Sequence, residues 1–141
     1  MSGWRSDVRD TFMVSLTAFM AANPTLVDQI YKSCPPSLAD RRVIFIGGIT
    51  EEITQDPGVR RRACEVTLVC TAQLGDSTEV TDDLEVMADA LVDYLTANYG
   101  LTGALTYQEP VRTTTTELNE SGTYIPAIAV VARAYIQQGR T

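Results

Sequence analysis

The chain has 141 residues, 45% of them hydrophobic and 21% charged, and its 18 Asp and Glu against 11 Lys and Arg leave a net charge of −7. That length fits a single domain over 1–141, that composition argues against wholesale disorder, and an acidic chain repels a phosphate backbone rather than gripping it. It contains no histidine, which removes the usual general base, the usual zinc ligand and the usual partner of a catalytic cysteine or serine.

Val8, Phe12, Leu16, Phe19 and Met20 recur at helical spacing between about Ser6 and Ala22. They predict an amphipathic helix with Ser6 as N-cap and Asn23-Pro24 as its stop. Trp4, just before it, reads first as a staple of the helix to the core and alternatively as a contact on a partner. Residues 12–22 lie behind Arg5 and Arg9 like the apolar part of a secretory leader, but Asp7 and Asp10 put acid where a leader is basic. The expectation is a soluble, unsecreted protein. QIYKS (29–33) reads as a brief strand. RVIFIGGI (42–49) is the clearest strand, apolar on both faces and therefore central, and Gly47 and Gly48 are expected to end it. The polar segment TEEITQDPG (50–58) then reads as a long hairpin loop turning at Asp56, Pro57 and Gly58.

GVRRRACEVTLVC (58–70) combines three consecutive arginines with two cysteines. From Arg60 to Leu74 the residues alternate, with Cys64, Val66, Leu68 and Cys70 on one face and Ala63, Glu65, Thr67, Val69 and Thr71 on the other, as in a strand. At about 3.3 Å per residue, Cys64 and Cys70 stand roughly 20 Å apart, too far for a disulfide or a shared metal. Both are expected to be small core residues. Arg60 and Arg62 point one way and Arg61 the other, so the triplet does not form a single groove. It reads either as a charged strand mouth that discourages edge pairing or as a contact with acid on a neighbouring copy of the chain, for which Glu51, Glu52 and Asp56 are the candidates.

After LGDST, a second helix is predicted to start near Asp82, which has capping-box spacing with Glu85. Leu84, Met87, Ala88, Leu91 and Leu95 make its buried face, Gly100 its stop, and Glu85, Asp89 and Asp93 an acidic outer stripe. Two β segments close the chain, ALTYQEPVRTTTTEL and TYIPAIAVVARAYIQQ, joined by a hairpin turn at Asn119 and Gly122. The second is apolar on both faces and so central, whereas Pro110 marks the first as an edge or a bulged strand. The longest late apolar run, IPAIAVVA (125–132), is well short of the roughly 20 residues of a membrane span, so no membrane role is expected.

Known catalytic signatures are missing: the chain contains no GxSxG, no GxxxxGK[ST], no GxGxxG and no HExxH, and its adjacent carboxylates at Glu51–Glu52 and Asp82–Asp83 diverge. No catalytic, metal or cofactor-binding residue is assigned, and an enzyme is not expected. One alternative, a dimerising α+β barrel that binds a small molecule, would use Tyr31, Tyr107, Tyr124 and Tyr135 as pocket walls.

The predicted order is α-β-β-β-α-β-β, an α+β fold with two helices packed on one mixed, mainly antiparallel sheet. That order, with RVIFIGGI, the acidic segment, RRACEVTLVC, DDLEVMADALVDYL and YIPAIAVVARAYI in sequence, resembles the tail terminator proteins of long-tailed bacteriophages. Other neck and head-closure adaptors share much of the same architecture. The resemblance implies a virion protein, assembled in the host cytoplasm and needing no cofactor. It implies a hexameric ring on the head-proximal end of the tail tube that stops addition of the major tail tube protein and meets the connector or stopper of the head. DNA would be a passing cargo in an acidic lumen. The arginines at 60–62 and the acids Glu51, Glu52 and Asp56 would then be subunit interface, and a ring closes when two different patches of each copy meet.

Overall fold

The computed structural model describes residues 3–35, 42–56, 59–72, 77–100, 105–120 and 122–136. Helix α1 (Trp4–Ala22) and strand β1 (Gln29–Tyr31) are followed by β2 (Arg42–Asp56), β3 (Val59–Ala72), helix α2 (Ser77–Ala97), β4 (Leu105–Glu120) and β5 (Thr123–Ile136). The five strands form one open sheet in the order β1-β2-β3-β5-β4, with β1 parallel to β2 and the other neighbours antiparallel. This is the α+β class and the element order expected from the sequence. No helix among the described residues is long and apolar enough to cross a membrane.

Both helices cover the same sheet face. Val8, Phe12, Leu16 and Phe19 of α1 and Leu84, Met87, Ala88, Leu91 and Leu95 of α2 are buried against Ile44, Ile46, Cys64, Val66, Leu68, Cys70, Val130, Ala132 and Ala134. These are the stripes that helical and strand periodicity select, each large side chain contributing about 1.5–3 kcal/mol by leaving water. Phe19 meets Tyr94 edge to face at 5.4 Å, tying the two helices together. Trp4 packs against this core, as expected, with the Arg5 guanidinium 4.3 Å from its ring centre.

The structure moves three boundaries. Helix α1 begins before Ser6, with Gly3 as an N-cap that makes no side-chain hydrogen bond. Helix α2 starts at Ser77, so Asp82 and Glu85 lie inside it. Their three-residue spacing fits a capping box, but any two residues on one helix face have the same spacing, so it does not identify a start. Finally, Gly47 and Gly48 do not end β2. They sit in a bulge between the pairs Ile46↔Leu68 and Ile49↔Val66, after which pairing continues to Asp56↔Val59. The segment 50–56 is therefore strand, not loop. Its polarity reflects its position, since β3 pairs with β5 only from Ala63 onward, and a two-stranded ribbon beyond the sheet has no core to face.

Two bulges decide which charges share a face. The extra residue at Gly47–Gly48 turns Ile49 toward the helices and Glu52 away from them. A second, between Pro110↔Ala132 and Arg112↔Val131, does the same for β4, turning Arg112 away. A one-residue insertion exchanges every later side chain between faces. Strand β4 is thus both an edge strand and bulged at Pro110, as the sequence predicts. The β4–β5 turn also matches, with Gly122 at φ +86 and its N–H donating to Asn119 Oδ1 at 3.0 Å.

Candidate assembly surface

Two of the three cysteines are shielded in the core. Cys64 and Cys70 are free and buried under the helices, and burial pushes their thiols up to about 11 and about 12 respectively. Cys34 is free and exposed. No group of three or more Cys, Asp or Glu among the described residues is placed to hold a metal ion.

A cluster of charges lies on the sheet face away from the helices. Glu65 of β3 accepts hydrogen bonds from Arg112 at 2.9 Å and from Arg133 at 3.4 Å, and Arg133 Nε also stands 3.8 Å from Glu52 Oε2. This chain of four charges crosses β2, β3, β5 and β4. The Arg112 hydrogen bond, with help from Arg133, holds the Glu65 carboxyl below the usual carboxylate range. The Arg133 guanidinium is held further in its charged form, mainly by Glu52. At the opposite end of the same face, Val43, Phe45, Val69, Ile125 and Ala127 form a second apolar cluster, flanked by Tyr31 and Leu118, that includes no helix residue.

The six interface residues expected from the sequence fall on one hairpin. Arg60, Arg61 and Arg62 are paired in register with Gln55, Thr54 and Ile53, Asp56 with Val59, Glu51 with Cys64 and Glu52 with Ala63. The side chains of Asp56, Arg60, Arg61 and Arg62 lie outside the described residues. Glu52 is committed to Arg133 within the chain, and half-buried Glu51 sits on the helix side of the sheet. The structure thus places Glu51 and Glu52 at the root of the arm, the arginines along it and Asp56 in its last pair, beyond them.

A recess forms where the C-terminus of α2 meets the β4 edge. Thr96, Tyr99, Tyr107, Gln108, Glu109 and Pro110 line a volume of about 390 Å³. Tyr107 hydroxyl donates to Glu109 Oε2 at 3.2 Å, and its ring lies 5.8 Å from Tyr99 and 5.5 Å from Tyr135, making a row of three tyrosines. Burial and the neighbouring Glu109 carboxylate both push the Tyr107 hydroxyl up, keeping it protonated. Gln108 is fully buried and donates from Nε2 to the carbonyls of Leu95 at 2.6 Å and Asn98 at 3.1 Å, closing the last turn of α2. Its Oε1 is buried with no hydrogen-bond partner.

Of the four tyrosines considered as pocket walls, Tyr107 and Tyr135 do meet. Tyr31 belongs to the far apolar cluster and Tyr124 is 65% exposed beside the β4–β5 turn, so the four do not converge. Sequence reasoning missed Glu65, Arg112, Arg133 and Glu109, because their meeting depends on strand order and on two bulges that the alternation pattern does not reveal.

No family model matches the chain, and no curated protein matches it. Among solved structures it is similar to a chain of the virion of a native gene transfer agent particle, with a TM-score of 0.62 at 15% identity over 92% of this chain and 94% of that one. At that identity the likeness establishes a common fold, and it does so across nearly the whole of both chains.

Proposed function

We propose that this protein is a structural subunit of a phage-like virion, and within it a tail terminator: a hexameric ring that caps the head-proximal end of the tail tube. The observation that carries the reading is the end-to-end fold correspondence with a virion chain, which agrees with the resemblance read independently from the order of sequence segments. In this role the chain acts by shape rather than by catalysis. It blocks further addition of tube subunits and presents a surface to the head connector, while the net charge of −7 on each copy keeps passing DNA from adhering to the ring. Its place of action is the neck of the particle. A head-closure adaptor is the second reading, since the fold correspondence is with a chain of a whole particle rather than with a numbered ring.

Native mass spectrometry of the purified chain across a concentration series, followed by electron microscopy with tail tubes added, tests the proposal. A hexamer, free or formed on the tube end, is the expected result. Rings that bind portal or connector assemblies but leave tube growth unchecked would favour the adaptor. A chain that forms no ring in either setting, or a stable dimer, would overturn the terminator reading.

A further inference from the structure

The recess on the β4 edge offers contacts for a cation that none of the described residues supplies. Its lining includes Tyr99, Tyr107 and Glu109, residue types that attract a guanidinium by cation–π and charge-assisted contacts. The carboxyl end of α2 opens beside it, where partial negative charge accumulates, and no basic residue occupies the last turn of that helix. No Lys or Arg is present between Arg62 and Arg112, and the two arginines on this face turn elsewhere, Arg112 to Glu65 and Arg133 to Glu65 and Glu52. Among the described residues no cation pairs with Glu109, whose hydrogen bond comes from Tyr107. Tyr99 is left 60% exposed at the rim, and Gln108, whose buried Oε1 has no hydrogen-bond partner, is also among the lining residues.

The matching cation source lies at the same height on the opposite side of the sheet. Tyr107 pairs with Tyr135, and Tyr135 with Ala63. One residue beyond Ala63 begins the ribbon Ile53↔Arg62 to Asp56↔Val59, which carries Arg60, Arg61 and Arg62. With strand order β2-β3-β5-β4, this arm and the recess occupy opposite lateral sides of one end of the sheet. A rotation about an axis along the strands preserves height, so it carries the arm of one copy to the recess of the next. Two different patches meeting in this way make a head-to-tail contact that closes into a ring.

We infer that the Tyr99–Tyr107–Glu109 recess receives an arginine from the β2–β3 arm, Arg60 to Arg62, of a second copy of this chain. The inference rests on the ring reading above and names the contact that would close it. It replaces Glu51, Glu52 and Asp56 of a neighbouring copy by Glu109 of a neighbouring copy as the partner of the arginines.

Complementation between two variants of the full-length chain tests it. Glu109→Arg blocks the recess, and the combined R60E/R61E/R62E reverses the arm. Each alone should weaken assembly in native mass spectrometry by about tenfold or more in midpoint concentration, the loss expected when a cation–π and a charged contact are removed together. Mixed one to one, the two should assemble again to within about threefold of wild type, because every junction in an alternating ring then pairs opposite charges. Far-UV circular dichroism and melting temperature check folding. If Glu109→Arg melts early, Glu109→Gln and Tyr99→Ser should show the same direction of loss. Variants that assemble like wild type, or a mixture without recovery from two folded variants, overturn this contact while leaving the ring reading intact. A wild-type chain that stays monomeric with and without tail tubes overturns both.

Discussion

The two faces of the sheet solve the problem of burial differently. Under the helices, apolar side chains from six elements close a core in which even the cysteines are inert. On the other face a small apolar cluster occupies one end, and a chain of paired charges, Glu52–Arg133–Glu65–Arg112, occupies the other. The first arrangement supplies stability, since burying large aliphatic and aromatic side chains is worth far more than pairing partly exposed charges. The second leaves a polar, ordered surface, with the arm and the recess at its margins, and such surfaces suit assembly between copies. The difference separates what holds the subunit together from what lets it meet another.

The largest contrast should appear in thiol labelling. Exposed Cys34 should react with a neutral disulfide reagent at an ordinary thiol rate, while Cys64 and Cys70 should lag by about a thousandfold or more until denaturant is added, because their labelling waits for opening of the core. Rapid labelling of all three in the native protein would show that the helix-covered face is not closed. Next in size, Phe12→Ala, at a fully buried position, should lower stability by about 3–5 kcal/mol in urea unfolding. Gln108→Leu removes the donor that serves the Leu95 and Asn98 carbonyls and should cost about 1–3 kcal/mol, showing how much the end of α2 depends on the edge strand. Smaller again, Glu65→Gln should cost about 0.5–1 kcal/mol, because Arg112 is half exposed and its pairing is screened.

The Glu65 effect should also carry a pH signature. The folded-state pKa of this carboxyl is lowered, chiefly by the Arg112 hydrogen bond. Its stabilising contribution is therefore fully present above the unfolded carboxylate value of about 4.3 and is lost as pH falls through the folded value. Melting curves should show wild type above Glu65→Gln at neutral pH and the two converging in acid. A gap that stays constant below pH 4 would mean that the Glu65 side chain acts through its shape and not through its charge.

Much of the fold was legible in the residues. The helical stripe from Val8 to Phe19, the alternation from Cys64 to Cys70 and the doubly apolar 125–132 each carry a period that only one kind of element satisfies. The candidate site was less legible. RRR at 60–62 stood out as a charge run, and the structure places it on an arm beyond the sheet. Glu109 and Tyr107 look ordinary in the chain, since their meaning comes from Tyr99, eight residues before Tyr107 and brought back by the turn at the end of α2 through the Gly100↔Tyr107 bridge.

The sequence by itself determined the class of fold, the two helices and their buried faces, the central position of β2 and β5, and the absence of histidine chemistry. These follow from local periodicity and composition, which need no knowledge of what lies across the sheet. Only the tertiary structure decided that the acidic segment after Gly48 is strand, that Glu52 and Arg112 join Glu65 and Arg133 on one face, and that the arm and the recess lie at one end on opposite sides. Those outcomes depend on strand order and on two single-residue bulges, and a bulge is settled by the pairing of both strands rather than by the residues of either one.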